Sequence, residues 1–122
     1  MNSIYKMSNR RKIMENLNEN IPFQLICNGG DASSLFLRAI NEAKSGRIDE
    51  AKRLVEQGEE SLLTAHKIQT QLIVQEASGD PVQLNVLMVH AQDHLMNAIL
   101  LKELVGFFIH LYQRTAGLED VK

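Results

Sequence analysis

Apolar residues recur through most of this chain at intervals of three and four, the spacing that gathers them on one face of an α-helix. A first stripe runs Leu25, Gly29, Ala32, Phe36, Ala39 or Ile40, and Ala43. Pro22 suits the first turn of the helix this predicts, where a missing amide proton goes unnoticed, and Ser45-Gly46 should end it. A second stripe takes Ala51, Leu54, Val55, Gly58, Leu62, Ala65, Leu72 and Ile73, with Asp49 as the expected cap and Ser78-Gly79 as the break. Asp80-Pro81-Val82-Gln83 then has the order of an N-cap, a proline at the first helical position and a glutamine at the third. It predicts a third helix running to about Arg114, about 50 Å long at ~1.5 Å per residue. Three such helices on short loops predict an all-α fold, an up-down-up antiparallel three-helix bundle.

Two features disturb this regular picture. Gly29 and Gly30 each cost a helix interior about 1 kcal/mol relative to alanine, so the first helix should either be closely approached there or kink. The third helix is apolar on every side: Leu95, Ile99, Met96, Phe107, Leu104 and Leu101 step round its whole circumference. A three-helix monomer buries about half of such a helix. Self-association is the expected cover for the remainder.

Composition narrows the class. With 122 residues, 44% hydrophobic and 23% charged, the chain is the size and character of one domain. Two prolines, seven glycines, no tryptophan and 5% aromatics argue against a turn-rich β-sandwich or barrel. The net charge of −2 gives no footprint for a nucleic-acid backbone or an anionic membrane. Cys27 is alone, so neither an internal disulfide nor a closed zinc site is expected. No apolar run is read as approaching the ~20 residues of a bilayer span, and the N-terminus lacks the apolar stretch of a secretory signal, so the expectation is a soluble cytoplasmic protein. Residues 1–20, with Lys6, Arg10, Arg11 and Lys12 before an Asn/Glu-rich run, read as a mobile tail; 21–115 form the domain and 116–122 a second tail.

The candidate chemistry sits on the third helix. His90, Asp93, His94 and Asn97 fall at i, i+3, i+4 and i+7, on one face of what otherwise looks like a buried seam. One reading makes them a polar layer whose members satisfy one another at a helix crossing. A second makes the two imidazoles metal ligands, but HxxDH lacks the glutamate of HExxH. A third makes one imidazole a nucleophile, since a ring nitrogen with the ordinary pKa near 6.5 keeps its lone pair at cytoplasmic pH, while the other donates a hydrogen bond to the group transferred. No GxxxxGK[ST] or GxGxxG loop is present, so a phosphoryl group would have to arrive on another protein. Of the other candidates, His66 borders the second stripe and should pack, His110 on the opposite face of the third helix is structural or solvated, and Met88 and Met96 belong to the core.

Val89-His90-Ala91-Gln92-Asp93-His94-Leu95-Met96 resembles the VHAQDHLM signature of the lactose/cellobiose-type enzyme IIA of the bacterial phosphoenolpyruvate-dependent sugar phosphotransferase system. Asn28-Gly29-Gly30-Asp31-Ala32-Ser33-Ser34 is similar to the family's NAGDARS segment, and Ala65-His66-Lys67-Ile68-Gln69-Thr70 to its AHxxQT stretch. The resemblance covers about Ile21 to Arg114. It departs at the glycine pair and at Ser33, where the family usually has arginine.

The resemblance implies a phosphocarrier. His90 would accept a phosphoryl group from the carrier HPr and pass it to a cysteine of the cognate EIIB, with His94 as donor to a phosphoryl oxygen and Gln92 as a further member of the site. It also implies a homotrimer of three-helix subunits in which Asp93 of each chain meets one metal ion, usually magnesium, on the threefold axis. A hard cation with oxygen ligands would relieve the repulsion of three gathered carboxylates. The sugar would be a β-linked disaccharide, with Met96-Asn97-Ala98-Ile99 favouring cellobiose or chitobiose over lactose. A helical oligomeric scaffold with a structural His/Asp layer is the alternative.

Overall fold

The computed structural model describes residues 9, 10, 12, 20–116 and 118. Three long helices carry the domain, α1 (Ile21–Lys44), α2 (Ile48–Ala77) and α3 (Val86–Thr115), with no strand among the described residues. Most of the expected tails, 1–20 and 116–122, lies outside the described residues; Asn9, Arg10 and Lys12 are helical.

α1 begins where its sequence predicts. The Asn20 side chain accepts the Phe23 amide at 3.1 Å, and Pro22 sits in the first turn. Its end is fixed by Gly46, which takes a φ of 84°, a conformation costly to any residue with a Cβ. Arg47 and Glu42 pair across that turn. α2 starts one residue before the expected cap: Arg47 holds the cap position without a side-chain bond, and Asp49 falls in the first turn beside Glu50. Both carboxylates there complement the positive end of the helix dipole. Gly79, with a φ of 89°, follows its end.

The start of α3 corrects the sequence reading. Asp80 to Asn85 is not helical, and the helix begins at Val86 with Asn85 as its cap, whose side chain accepts the Met88 amide at 2.8 Å. Pro81 disfavours helical backbone at Asp80, and Val82 lies half-buried against the core, so the segment is held as a connection and the cap moves five residues on.

α1 is the central element, lying along both α2 and α3, whereas those two meet over a shorter stretch. Every position of its expected stripe except the alternative Ile40 is buried. Two glycines make the close packing of the three helices tolerable. A Cβ at Gly29 would stand 3.4 Å from the His94 carbonyl group of α3, so the close approach is real there, while Gly30 has nothing within 4 Å. Gly58 of α2 leaves room for Phe36: a Cβ would lie 2.6 Å from its ring. In the second stripe Ile73 is exposed, against expectation.

α3 buries Met88, Ala91, Leu95, Ala98, Val105 and Ile109. On its outer side Val89, Met96, Leu100, Phe107 and Leu111 face solvent in the single chain. Contrary to the sequence reading, α3 is long and apolar enough to cross a bilayer by length and composition, because only Lys102 and Glu103 are charged between His94 and Leu111.

Candidate functional site

The three motif segments meet at one level of the fold. Gly29 of α1 touches the backbone of His94, and Gln69 of α2 is hydrogen bonded to Gln92 of α3. On the side of α3 away from the Gln92 amide stand His90 and His94. Their Nε2 atoms are 3.1 Å apart and their rings meet edge to face with centroids separated by 4.5 Å. Such a bond needs one ring to donate and the other to accept, so at least one imidazole is neutral and offers a lone pair. His90 is exposed; His94 is half-buried beside the core residue Leu95.

The four-residue constellation read from sequence lies on one side of α3. Within it His90 and His94 are hydrogen bonded to each other, whereas Asp93 and Asn97 are exposed and bond to neither. The seam expected to be buried is open in the single chain. Gln92 turns the other way: its amide exchanges two hydrogen bonds with Gln69, at 2.6 and 2.8 Å, and lies 3.7 Å from Met88 Sδ. His66, expected to pack, is exposed, and His110 is exposed as read. Met88 is core but Met96 is half-exposed on the outer stripe, which overturns its core assignment. Cys27 is free and exposed. Gln69 was visible only as a member of a quoted motif; Gly29 was legible as a point of close approach, but nothing in its spacing says that the histidine segment is what approaches.

Among the described residues no three of His, Cys, Asp and Glu gather closely enough to hold a metal. Near its start the outer side of α3 carries one carboxylate, Asp93, beside the exposed amide of Asn97. That fits a metal only where copies bring several such carboxylates together.

A family model described as "PTS system, Lactose/Cellobiose specific IIA subunit" matches residues 20–113. The chain belongs to this family. It is thus a IIA subunit, a phosphotransferase component of a sugar transport system. It is 45% identical over 92 residues to a lactose-specific EIIA component of Streptococcus mutans, an alignment spanning 75% of this chain and 88% of the relative. It is equally close, 45% over 96 residues, to the lichenan-specific enzyme IIA component of Bacillus subtilis, covering 79% and 87%. Among solved structures, the cellobiose-specific enzyme IIA of Bacillus anthracis superimposes with a TM-score of 0.76 at 46% identity, over 84% of this chain and 91% of that one. The IIA(Chitobiose)-HPr complex of the Escherichia coli N,N'-diacetylchitobiose branch gives 0.67 at 37%, over 80% and 94%.

Proposed function

We propose that this IIA subunit is a cytoplasmic phosphocarrier whose acceptor atom is a ring nitrogen of His90. The observation that carries the reading is an exposed imidazole hydrogen bonded to a second, half-buried one. Exposure lets two partner proteins reach the nitrogen in turn. The donor is HPr, in keeping with the related chitobiose IIA solved with HPr, and the acceptor is a cysteine thiolate of the cognate EIIB.

In the forward step the lone pair of His90 attacks phosphorus, the N–P bond of the donor phosphohistidine breaks, and the donor imidazole keeps that electron pair. No water is consumed. In the second step the EIIB thiolate forms an S–P bond and His90 recovers its lone pair. Transfer of this kind is governed by alignment and charge more than by covalent assistance. His94, whose Nε2 faces that of His90, is placed to turn its N–H toward a phosphoryl oxygen as charge develops there.

The assembly proposed is a homotrimer of up-down-up bundles. Supporting the antiparallel arrangement, Gly29 lies beside His94 and Gln69 is bonded to Gln92, whereas Phe36, further along α1, lies beside Gly58, earlier in α2. The outer stripe of α3 is the surface a second and third copy would cover, and Asp93 within it would bring three carboxylates to the axis. There they would hold one magnesium ion, which neutralises charge and takes no part in transfer. The sugar is a β-linked disaccharide, cellobiose or chitobiose in preference to lactose.

The test is incubation with phosphoenolpyruvate, enzyme I and HPr. The chain should gain one acid-labile, base-stable phosphate mapping to His90, and His90→Ala should gain none while keeping its helicity. A wild-type chain that takes up no phosphate would leave a structural His/Asp layer as the better account.

A further inference from the structure

The reciprocal amide bonds between Gln69 and Gln92, 23 residues apart in sequence, join α2 to α3 at the level of the histidine pair. We infer that this amide pair is a positioning device, setting the rotation of α3 about its axis and hence where His90 and His94 stand; as a statement about phosphoryl transfer it rests on the function proposed above.

The argument begins with what holds α3. Its inner side is pressed against α1, where the absence of a side chain at Gly29 lets the His94 backbone approach. That contact and the buried Leu95 and Val105 hold α3 against α1, but apolar burial is non-directional and specifies a rotation less sharply than a pair of hydrogen bonds does. α2 could supply the second fixed point, yet α2 and α3 meet over a short stretch. The amide pair is the directional contact within it. Each glutamine both donates and accepts, so the pair is satisfied in one geometry, and rotating α3 breaks two bonds at once between half-buried amides.

Leverage makes that rotation matter. Side-chain tips on a helix lie about 5–6 Å from its axis, so a turn of about 10° moves an imidazole nitrogen by about 1 Å. A displacement of that size can slow a transfer reaction by about 100-fold. Gln92 leaves α3 on the side away from His90, between the two histidines in sequence, so its anchor is rigidly linked to both without touching either. It is therefore a positioning residue and Gln69 is its partner.

The experiment compares wild type with Gln69→Ala, Gln92→Ala, the double variant and Gln69→Glu, using Gln57→Ala on the exposed face of α2 as control. Two quantities are measured: the single-turnover rate of phosphate uptake from phospho-HPr, and the nitrogen NMR signals of the His90 and His94 rings in the unphosphorylated protein. The expected result is a 10- to 100-fold slower uptake in each alanine variant, no further loss in the double, a smaller loss in Gln69→Glu, which keeps one of the two bonds, and shifted ring signals in all four. Alanine variants that melt earlier yet keep wild-type ring signals and rates within twofold would overturn the inference and leave the pair a packing contact. If wild type takes up no phosphate, the transfer reading fails instead. The ring signals still decide the positioning, with unchanged signals sinking it and shifted ones sustaining it.

Discussion

A carrier histidine has to release its phosphoryl group as readily as it receives it, which sets narrow terms for its neighbours. A cation fixed beside His90 would hold the group too firmly, and open water alone would leave the developing charge without a fixed donor. A second imidazole one helical turn away, 3.1 Å off, sits between these extremes. His94→Ala should therefore slow uptake by about 100- to 1000-fold, the range for losing one donor to a developing anion, while His90 remains the phosphorylated residue; rapid-quench measurement with phosphopeptide mapping checks both. The glycines make a second residue-level prediction. Gly30→Ala should stabilise the fold by about 1 kcal/mol, because nothing lies within 4 Å of the added methyl and helix propensity alone decides. Gly58→Ala should lose that gain and more. Its methyl collides with the fully buried Phe36 ring, and overpacking typically costs about 1–3 kcal/mol. Denaturant melts of the two variants separate them. The four polar residues of α3 were legible in sequence as one face, but a helical wheel does not show which of two residues on either side of that face meets a neighbour. His94 is half-buried and bonded to His90, whereas its neighbour Asp93 is exposed and bonds to neither histidine.

At the level of elements, periodicity located α1 almost to the residue, because its stripe is narrow and its caps are chemically distinct. α3 was harder. An Asp-Pro pair carries the signature of a helix start, and only the seat of Val82 against the core reveals that the chain runs on to Asn85 before turning helical. The stripe Val89, Asp93, Met96, Leu100, Phe107 and Leu111 follows the three-and-four spacing of a helix-to-helix seam. Leu100→Glu should abolish assembly by placing like charges at its middle, visible as a threefold fall in mass by sedimentation. Asp93→Asn should instead spare assembly and remove most of the divalent-cation affinity in calorimetry, since burial along the rest of the stripe continues. The α1–α2 turn carries a pH signature of its own. Its hydrogen bond to Arg47 holds the Glu42 carboxyl below the usual carboxylate range. A carboxyl depressed on folding supports the fold above its unfolded range and loses that support as pH falls through its folded value. Because Arg47 is exposed and Glu42 only partly covered, the gain is small and salt should erase it. Glu42→Gln should accordingly lower the melting temperature slightly at neutral pH and low salt, and match wild type in strong acid.

The whole molecule follows from α1 lying along both its neighbours; spacing and loop length implied three packed helices but not which of them is central. The surplus of apolar surface on α3 was legible as a helix without a distinct polar side, with self-association its expected cover; what the sequence reading missed is that the helix is also long and apolar enough to cross a bilayer. Sedimentation equilibrium should return about three times 13.8 kDa. The order of the helices also bears on how the chain is made. α1 and α2 are joined by a tight turn and pack extensively, so a hairpin with its own apolar seam can form while translation continues. α3 leaves the ribosome after both. At ~5–20 residues per second its 30 residues appear within about 2–6 s, onto a template already folded. The segment most prone to stick to other nascent chains is thereby unsheltered for the shortest time, and moving it ahead of α1 by circular permutation should raise dependence on chaperones without altering a single contact.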